Sequence, residues 1–297
     1  MEEQKIIQFI KERFPHKNIT AIEVINTGWD NDVLLLNKEL VFRFPKTKDI
    51  RKKVQTEVEL LKALNERNPP VELPRPTVLE NFNKELTCMY YPLINGKSLD
   101  KLNESMIKAN KKNAKVMGTF LTKLHHLRNT NPAINLETSH PFDYWNNLFT
   151  AVKNQVLPLV SNREAYLITG FFSDFLHSFS NQNYRPTFIH GDLSSNNIIG
   201  DPETGKILGV IDFTDAQLGD PAFDFAGFYW DFGAAFTREV LNQYQGDDPA
   251  DKIFQRVQQF YGVQPIFHEL LYKLKLGHPI NWQTALDKFK HLLASKE

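Results

Sequence analysis

The chain has 297 residues, with 35 lysines and arginines against 35 aspartates and glutamates, and a single cysteine. At about 100–200 residues per domain this is one large domain or two lobes sharing a cleft. A hydrophobic share of 41% that includes 23 phenylalanines excludes disordered and fibrous classes. Zero formal net charge argues against a general nucleic-acid binder. Cys88 has no partner for an internal disulfide, which fits a reducing compartment.

Residues 1–14 space Ile6, Ile7, Phe9 and Ile10 between charges, the pattern of an amphipathic helix. They lack the apolar run and small-residue cleavage site of a secretion signal. No stretch approaches the roughly 18 apolar residues that span a bilayer, so a cytoplasmic protein with no membrane partner is expected. Strands are predicted at 21–25, 33–36 and 40–44, the last two joined through Asn37-Lys38. Residues 49–65 have helical spacing, four prolines between 69 and 76 break regularity, and an extended stretch follows near 86–93.

Beyond Ile94-Asn95-Gly96 the character changes. Helical stripes are predicted at 106–128, 162–180, 223–243, 251–261 and 282–293, interrupted by a β-rich island over 187–213. The chain therefore reads as an α+β protein. A small β-rich lobe (1–92) and a larger helical lobe (93–297) meet at a hinge near 91–96.

The island carries the chemistry. A loop, His190-Gly191-Asp192, leads through Asn197 into a strand, a turn rich in Asp, Pro and Gly, and a returning strand that ends at Asp212-Phe213. Such a hairpin brings Asn197 beside Asp212 and holds Asp192 five residues upstream. Two hard oxygen ligands and a free carboxylate suit Mg²⁺-assisted phosphoryl transfer, with Asp192 orienting and deprotonating a hydroxyl. The spacing His-x-Asp-x4-Asn, then hydrophobic-Asp-Phe, is that of a kinase catalytic loop and metal site. Gly200 to Lys206 mimics part of a phosphate-binding loop, but Ile207 replaces the needed hydroxyl and a strand follows where a helix is required. It is expected to be a plain hairpin turn. In the first lobe, Glu57 falls on the apolar stripe Val54, Leu61, Leu64, where a carboxylate needs a cation, and Arg43 on the preceding strand can supply it. The loop from Thr27 to Asp32, with Gly28, is expected to cover the phosphates.

Together these segments resemble the aminoglycoside phosphotransferase family, small-molecule kinases with the two-lobed protein-kinase fold. The resemblance runs through Val41-Phe42-Arg43-Phe44-Pro45, the helix bearing Glu57, Leu73-Pro74-Arg75-Pro76, and Phe120 to His125. It continues through His190-Gly191-Asp192, Ile211-Asp212-Phe213 and Gly219-Asp220-Pro221-Ala222-Phe223-Asp224-Phe225. The branch acting on a 2″-hydroxyl is the most similar. The resemblance implies Asp192 as catalytic base, Asn197 and Asp212 as Mg²⁺ ligands, and ATP or GTP as donor. It implies Ile199 and Ile211 as the floor of the base pocket, with the backbone from Tyr91 to Leu93 at the base edge. Asp220 and Asp224 are expected to be structural, bracing the catalytic loop, and His125 and His190 to be structural within the helical lobe and that loop; a monomer is expected.

Two departures stand out. Arg43 replaces the lysine of the 2″ branch. The segment after Asp-Pro-x-x-Asp-Phe, acid-rich in that branch, is aromatic here: Ala226-Gly227-Phe228-Tyr229-Trp230-Asp231-Phe232. Trp230, Asp231 and Glu269 are the candidate acceptor contacts. An aminoglycoside is the expected acceptor. The alternatives are a macrolide, a small metabolite, or nucleotide binding without transfer.

Overall fold

The computed structural model describes residues 3–25, 30–80, 87–128, 131, 133–134, 136, 138, 140–179 and 184–294. Gly28 and the first half of the expected phosphate-covering loop, residues 27–29, lie outside the described residues. Among the described residues no helix is long and apolar enough to cross a membrane.

Helix α1 (Glu3–Arg13) precedes strands β1 (Ile22–Ile25), β2 (Asn31–Leu36) and β3 (Leu40–Pro45). Helix α2 (Lys48–Glu66), β4 (Thr77–Glu80) and β5 (Thr87–Pro92) follow. The strands form one antiparallel sheet in the order β1-β2-β3-β5-β4. Asn37 and Lys38 both take positive φ, 52° and 55°, as a two-residue turn matched to strand twist requires. Successive side chains of a strand point to opposite faces. Phe42 and Phe44 therefore join Ile6, Phe9, Ile10 and Cys88 in the core under α1, while Val41 joins Val54, Met89 and Tyr91 under α2. The same alternation sends Arg43 to the α2 side. Cys88 is a buried apolar filler whose thiol pKa burial pushes up to about 12. Strand β4, which begins directly after the last of the four prolines, was not expected.

The second lobe begins with β6 (Lys97–Ser98), α3 (Glu104–Ala109) and α4 (Lys112–His125), then α5 (Phe142–Gln155) and α6 (Asn162–Phe179). Strands β7 (Thr187–Ile189), β8 (Ile198–Gly200), β9 (Ile207–Val210) and β10 (Gln217–Gly219) follow. Helices α7 (Ala226–Leu241), α8 (Ala250–Arg256), α9 (Pro265–Leu276) and α10 (Trp282–Ala294) complete the chain, with a π-helical turn at Val257–Tyr261 after α8. β8 and β9 form the expected hairpin, extended by β6, and β7 pairs with β10. The core of this lobe is aromatic: Trp145 is fully buried, and the rings of Phe175 and Phe260 stack 3.5 Å apart.

The stripe at 106–128 is two helices rather than one, parted at Asn110 and Lys111. Asn113 uses the break: its Nδ2 donates to the carbonyls of Ile107 and Gly205, and its Oδ1 accepts from the Ile207 amide. This ties the helices to the turn of the β8–β9 hairpin. Helices α5 and α9 were not expected. The result is a kinase-like fold, a five-stranded antiparallel lobe beside a helical one.

Candidate active site

The β8–β9 hairpin sets the site. Val210 pairs with Ile198, and the Ile211 amide donates to the Asn197 carbonyl at 2.9 Å, so the residues flanking the hairpin mouth meet. Asn197 Nδ2 donates to both the Asp192 carbonyl and its Oδ2, each at 2.8 Å. This fixes the amide so that its own carbonyl oxygen is the atom left for a cation. The turn at the other end closes through Asp201 N to Lys206 O and Gly205 N to Asp201 O, both 2.9 Å, and opens no helix. The phosphate-loop resemblance there is a hairpin turn.

Asp212 leaves the hairpin with φ of 62°, an unfavourable conformation for a residue with a side chain. Its surroundings hold it there. Oδ1 accepts from Arg43 Nη2 at 2.6 Å, from the Thr214 hydroxyl at 2.9 Å and from the Thr214 amide at 3.4 Å. Burial acts to raise this carboxyl, but Arg43 and Thr214 outweigh it and hold the pKa below the ordinary range. Arg43 reaches Asp212 because its other arm, Nη1, is fixed 2.7 Å from Glu57 Oε1 in the buried space under α2. It also donates to the Thr214 hydroxyl. Burial disfavours the guanidinium, yet the two carboxylates raise its pKa further still. The planar fork does what a point charge could not, spanning two acids and a hydroxyl at once. Thr214 was not foreseen; it stands only two residues past a predicted ligand.

The loop bearing Asp192 is held from behind. His190 is fully buried, its Nδ1 accepting from the Asp192 amide (3.2 Å) and its Nε2 facing the Ile211 carbonyl (3.0 Å). Asp224 accepts from the amides of His190 and Gly191 at 2.8 and 3.0 Å and meets His125 Nε2 at 3.1 Å. Asp220 caps the turn at Pro221 and pairs with Arg256. Gly191 has φ of 82°, and a Cβ there would lie 2.1 Å from the Asp215 carbonyl, so no larger residue fits. Gly227 plays the same part for α7, where a Cβ would lie 2.0 Å from the Leu193 carbonyl. The first turn of α7 therefore lies directly on the loop. Asp192 itself opens to the cleft. Its carboxyl is nonetheless raised above the ordinary range. Surrounding protein is the first cause, His190 pulls the other way, and the carboxylates of Asp215 and Asp212 add to the rise. Asp30 faces the same field and is raised by burial, Asp215 and Asp212.

On the sheet side, Tyr91 points inward, buried near Arg43, with burial pushing its phenol up to about 12. The Leu93 amide donates to the Glu39 carbonyl at 2.7 Å, so that donor is already committed between strands. Ile199 is buried on β8, and Ile211 is half-buried just past β9.

The opposite side is built from helices. Asp231 Oδ2 accepts from the Ser195 amide at 2.9 Å, making it a brace of the Asp192 loop. Glu269 pairs with Lys273 at 2.6 Å on the surface of α9. Trp230 carries Lys288 Nζ 3.2 Å from its ring centroid. Sequence reasoning missed Lys288, which lies 58 positions from its tryptophan. Nearer Asp215, Tyr144 and His268 lie 6.3 Å apart, and burial lowers the His140 pKa to about 4.

Among the described residues no group of three or more His, Cys, Asp or Glu could hold a metal. Asn197 and Asp212 nevertheless offer a carbonyl and a carboxylate oxygen, the small, hard share that Mg²⁺ takes from protein beside phosphates and water. The donor set fits that ion.

The fold and site define a phosphotransferase. A family model described as the phosphotransferase enzyme family matches residues 21–252, and the chain belongs to that family. The GDP and kanamycin complex of an aminoglycoside 2″-phosphotransferase, type IIIa, superposes with a TM-score of 0.79 at 24% identity, covering 98% of this chain and 97% of the other. A macrolide 2′-phosphotransferase from Brachybacterium faecium superposes with a TM-score of 0.67 at 18% identity, over 99% of each chain. The uncharacterized protein YcbJ of Bacillus subtilis is 35% identical over 79 residues, which is 26% of this chain and 25% of its own length.

Proposed function

We propose that this chain is a Mg²⁺-dependent kinase that moves the γ-phosphoryl group of ATP or GTP to a hydroxyl of a small molecule, acting as a cytoplasmic monomer. In this reading residues 1–92 hold the nucleotide and residues 93–297 supply the catalytic loop and the acceptor wall. The observation that carries it is the fixing of Asp192 by Asn197 at 2.8 Å beside Asp212 at the mouth of one hairpin.

Asp192 accepts the proton of the acceptor hydroxyl as its oxygen bonds to the γ-phosphorus. The bond from that phosphorus to the bridging oxygen breaks, leaving a nucleoside diphosphate and a phosphomonoester. Asn197 and Asp212 would hold Mg²⁺, which supplies neutralisation of phosphate charge. Arg43 adds fixed positive charge on the sheet side and keeps Asp212 ionised. Most of the catalysis is positioning and electrostatics.

An aminoglycoside is the first acceptor to test, since the family and the kanamycin-bound relative support it. A second reading, a macrolide or another weakly charged hydroxyl compound, is favoured by the aromatic wall at Trp230 with Lys288 upon it. The test incubates the protein with ATP or GTP, Mg²⁺ and each acceptor class, and follows the acceptor by mass spectrometry. A gain of one phosphoryl group on one class establishes the reading. Nucleotide binding with no modified acceptor in any class would overturn it.

A further inference from the structure

The α7–α9–α10 surface holds a feature the phosphoryl-transfer machinery does not use. An ammonium centred 3.2 Å above an indole ring is how proteins bind cationic ligands. Here the ammonium belongs to the chain itself. Lys288 reaches from α10 across to Trp230 on α7, half-buried, with the carboxylates of Asp231 and Glu269 acting on its charge. The place matters because Asp231 accepts from Ser195 N, three residues past Asp192, and Gly227 packs on Leu193. On the proposed kinase reading the nucleotide lies against the sheet, which leaves this wall to the acceptor.

The charges balance locally. Glu269 pairs with Lys273; burial lowers the pKa of the Lys288 ammonium, and the field of Asp231 and Glu269 offsets part of that lowering. A polycation entering here would meet acids that are already compensated, and a fixed positive charge seated where one of its ammonium groups would go.

The geometry points to Lys288 as a specificity-determining residue: its ammonium plugs a cation cage formed by Trp230, Asp231 and Glu269, so that acceptors with at most one ammonium are favoured over polycations. The inference rests on the proposed kinase reading and narrows its acceptor class. Discrimination comes from a built-in repulsive element rather than from a missing attraction.

The test compares wild type with Lys288→Met and Lys288→Arg, using kanamycin as polycation and a macrolide as monocation. Lys288→Met is expected to shift the ratio of kcat/KM values toward kanamycin by about tenfold or more, equivalent to 1.4 kcal/mol, mainly through KM. Lys288→Arg, which keeps the cation, should stay within about twofold of wild type. A ratio unchanged by Lys288→Met, or moved toward the macrolide, overturns the inference. Lys288→Gln carries the same comparison if the methionine variant does not fold. Calorimetry with kanamycin in the absence of nucleotide separates the two levels. If wild type phosphorylates neither acceptor, the kinase reading fails for these classes. Tighter kanamycin binding by Lys288→Met would still support the plug, and unchanged or weaker binding would overturn it.

Discussion

The β8–β9 hairpin with its Asp192 loop and the helical wall at Trp230 are built on opposite plans. The hairpin draws Asp192, Asn197 and Asp212 from 21 consecutive residues, and its polar groups are cross-braced by Arg43, Thr214, His190 and Asp224. The wall draws Trp230, Glu269 and Lys288 from three helices, and its contacts are a ring–cation stack and a surface ion pair. Rigidity is concentrated where charge must be placed to a fraction of an ångström. On the wall, the ring–cation stack of Lys288 and the ion pair of Glu269 stay among the helices and reach neither the loop nor the hairpin. One family can thus keep one reaction and vary the acceptor.

That contrast can be broken most severely at Arg43. Arg43→Met leaves Glu57 buried without its cation, and chemical denaturation should register a loss of about 3–5 kcal/mol. A loss below about 1 kcal/mol would mean that the brace is not rigid. Next comes Gly191→Ala, where the positive φ and the Asp215 carbonyl oppose any side chain. Thermal unfolding should report a loss of about 1–3 kcal/mol, with turnover falling alongside.

The hairpin also makes a pH prediction. A base must be deprotonated to act, and Asp192 is raised, so kcat/KM should climb with pH through a value above the ordinary carboxylate range. Asp215→Asn removes one of the charges that raise it, and the acid limb should move to lower pH. An unmoved limb would assign it to another group. Asp212 is lowered and remains ionised throughout that window. The stability it lends is present above its unfolded pKa and is lost only as pH falls through its depressed folded value. The smallest effect lies on the wall. Glu269→Gln breaks an exposed pair four residues apart, and denaturation should show no more than about 0.5 kcal/mol.

Legibility in the sequence followed the same division. The hairpin was readable because its spacing is local: two strands and a turn force Asn197 beside Asp212. The Arg43–Glu57 pair was readable because strand alternation and helical spacing independently put both on one buried face. Asp224 behaved as the expected support, whereas Asp220 serves Arg256 and its own turn rather than the loop. Asp231 also holds Ser195, a role the sequence did not reveal, because the close approach at Gly227 that brings α7 onto the loop leaves no trace in local pattern. Helix α5 was passed over although Trp145, Leu148, Phe149 and Val152 make a stripe, for Asn146-Asn147 weakens the local propensity. The stack of Lys288 on Trp230 depends on how α10 packs on α7, and no spacing encodes it.

The central claim is that Asp192 is the base of a phosphoryl transfer. It is tested most directly by measuring kcat for acceptor phosphorylation in wild type and Asp192→Asn, with melting temperatures recorded for both. The account predicts a fall of about 10²- to 10⁴-fold with the fold intact; turnover within about tenfold of wild type would contradict it.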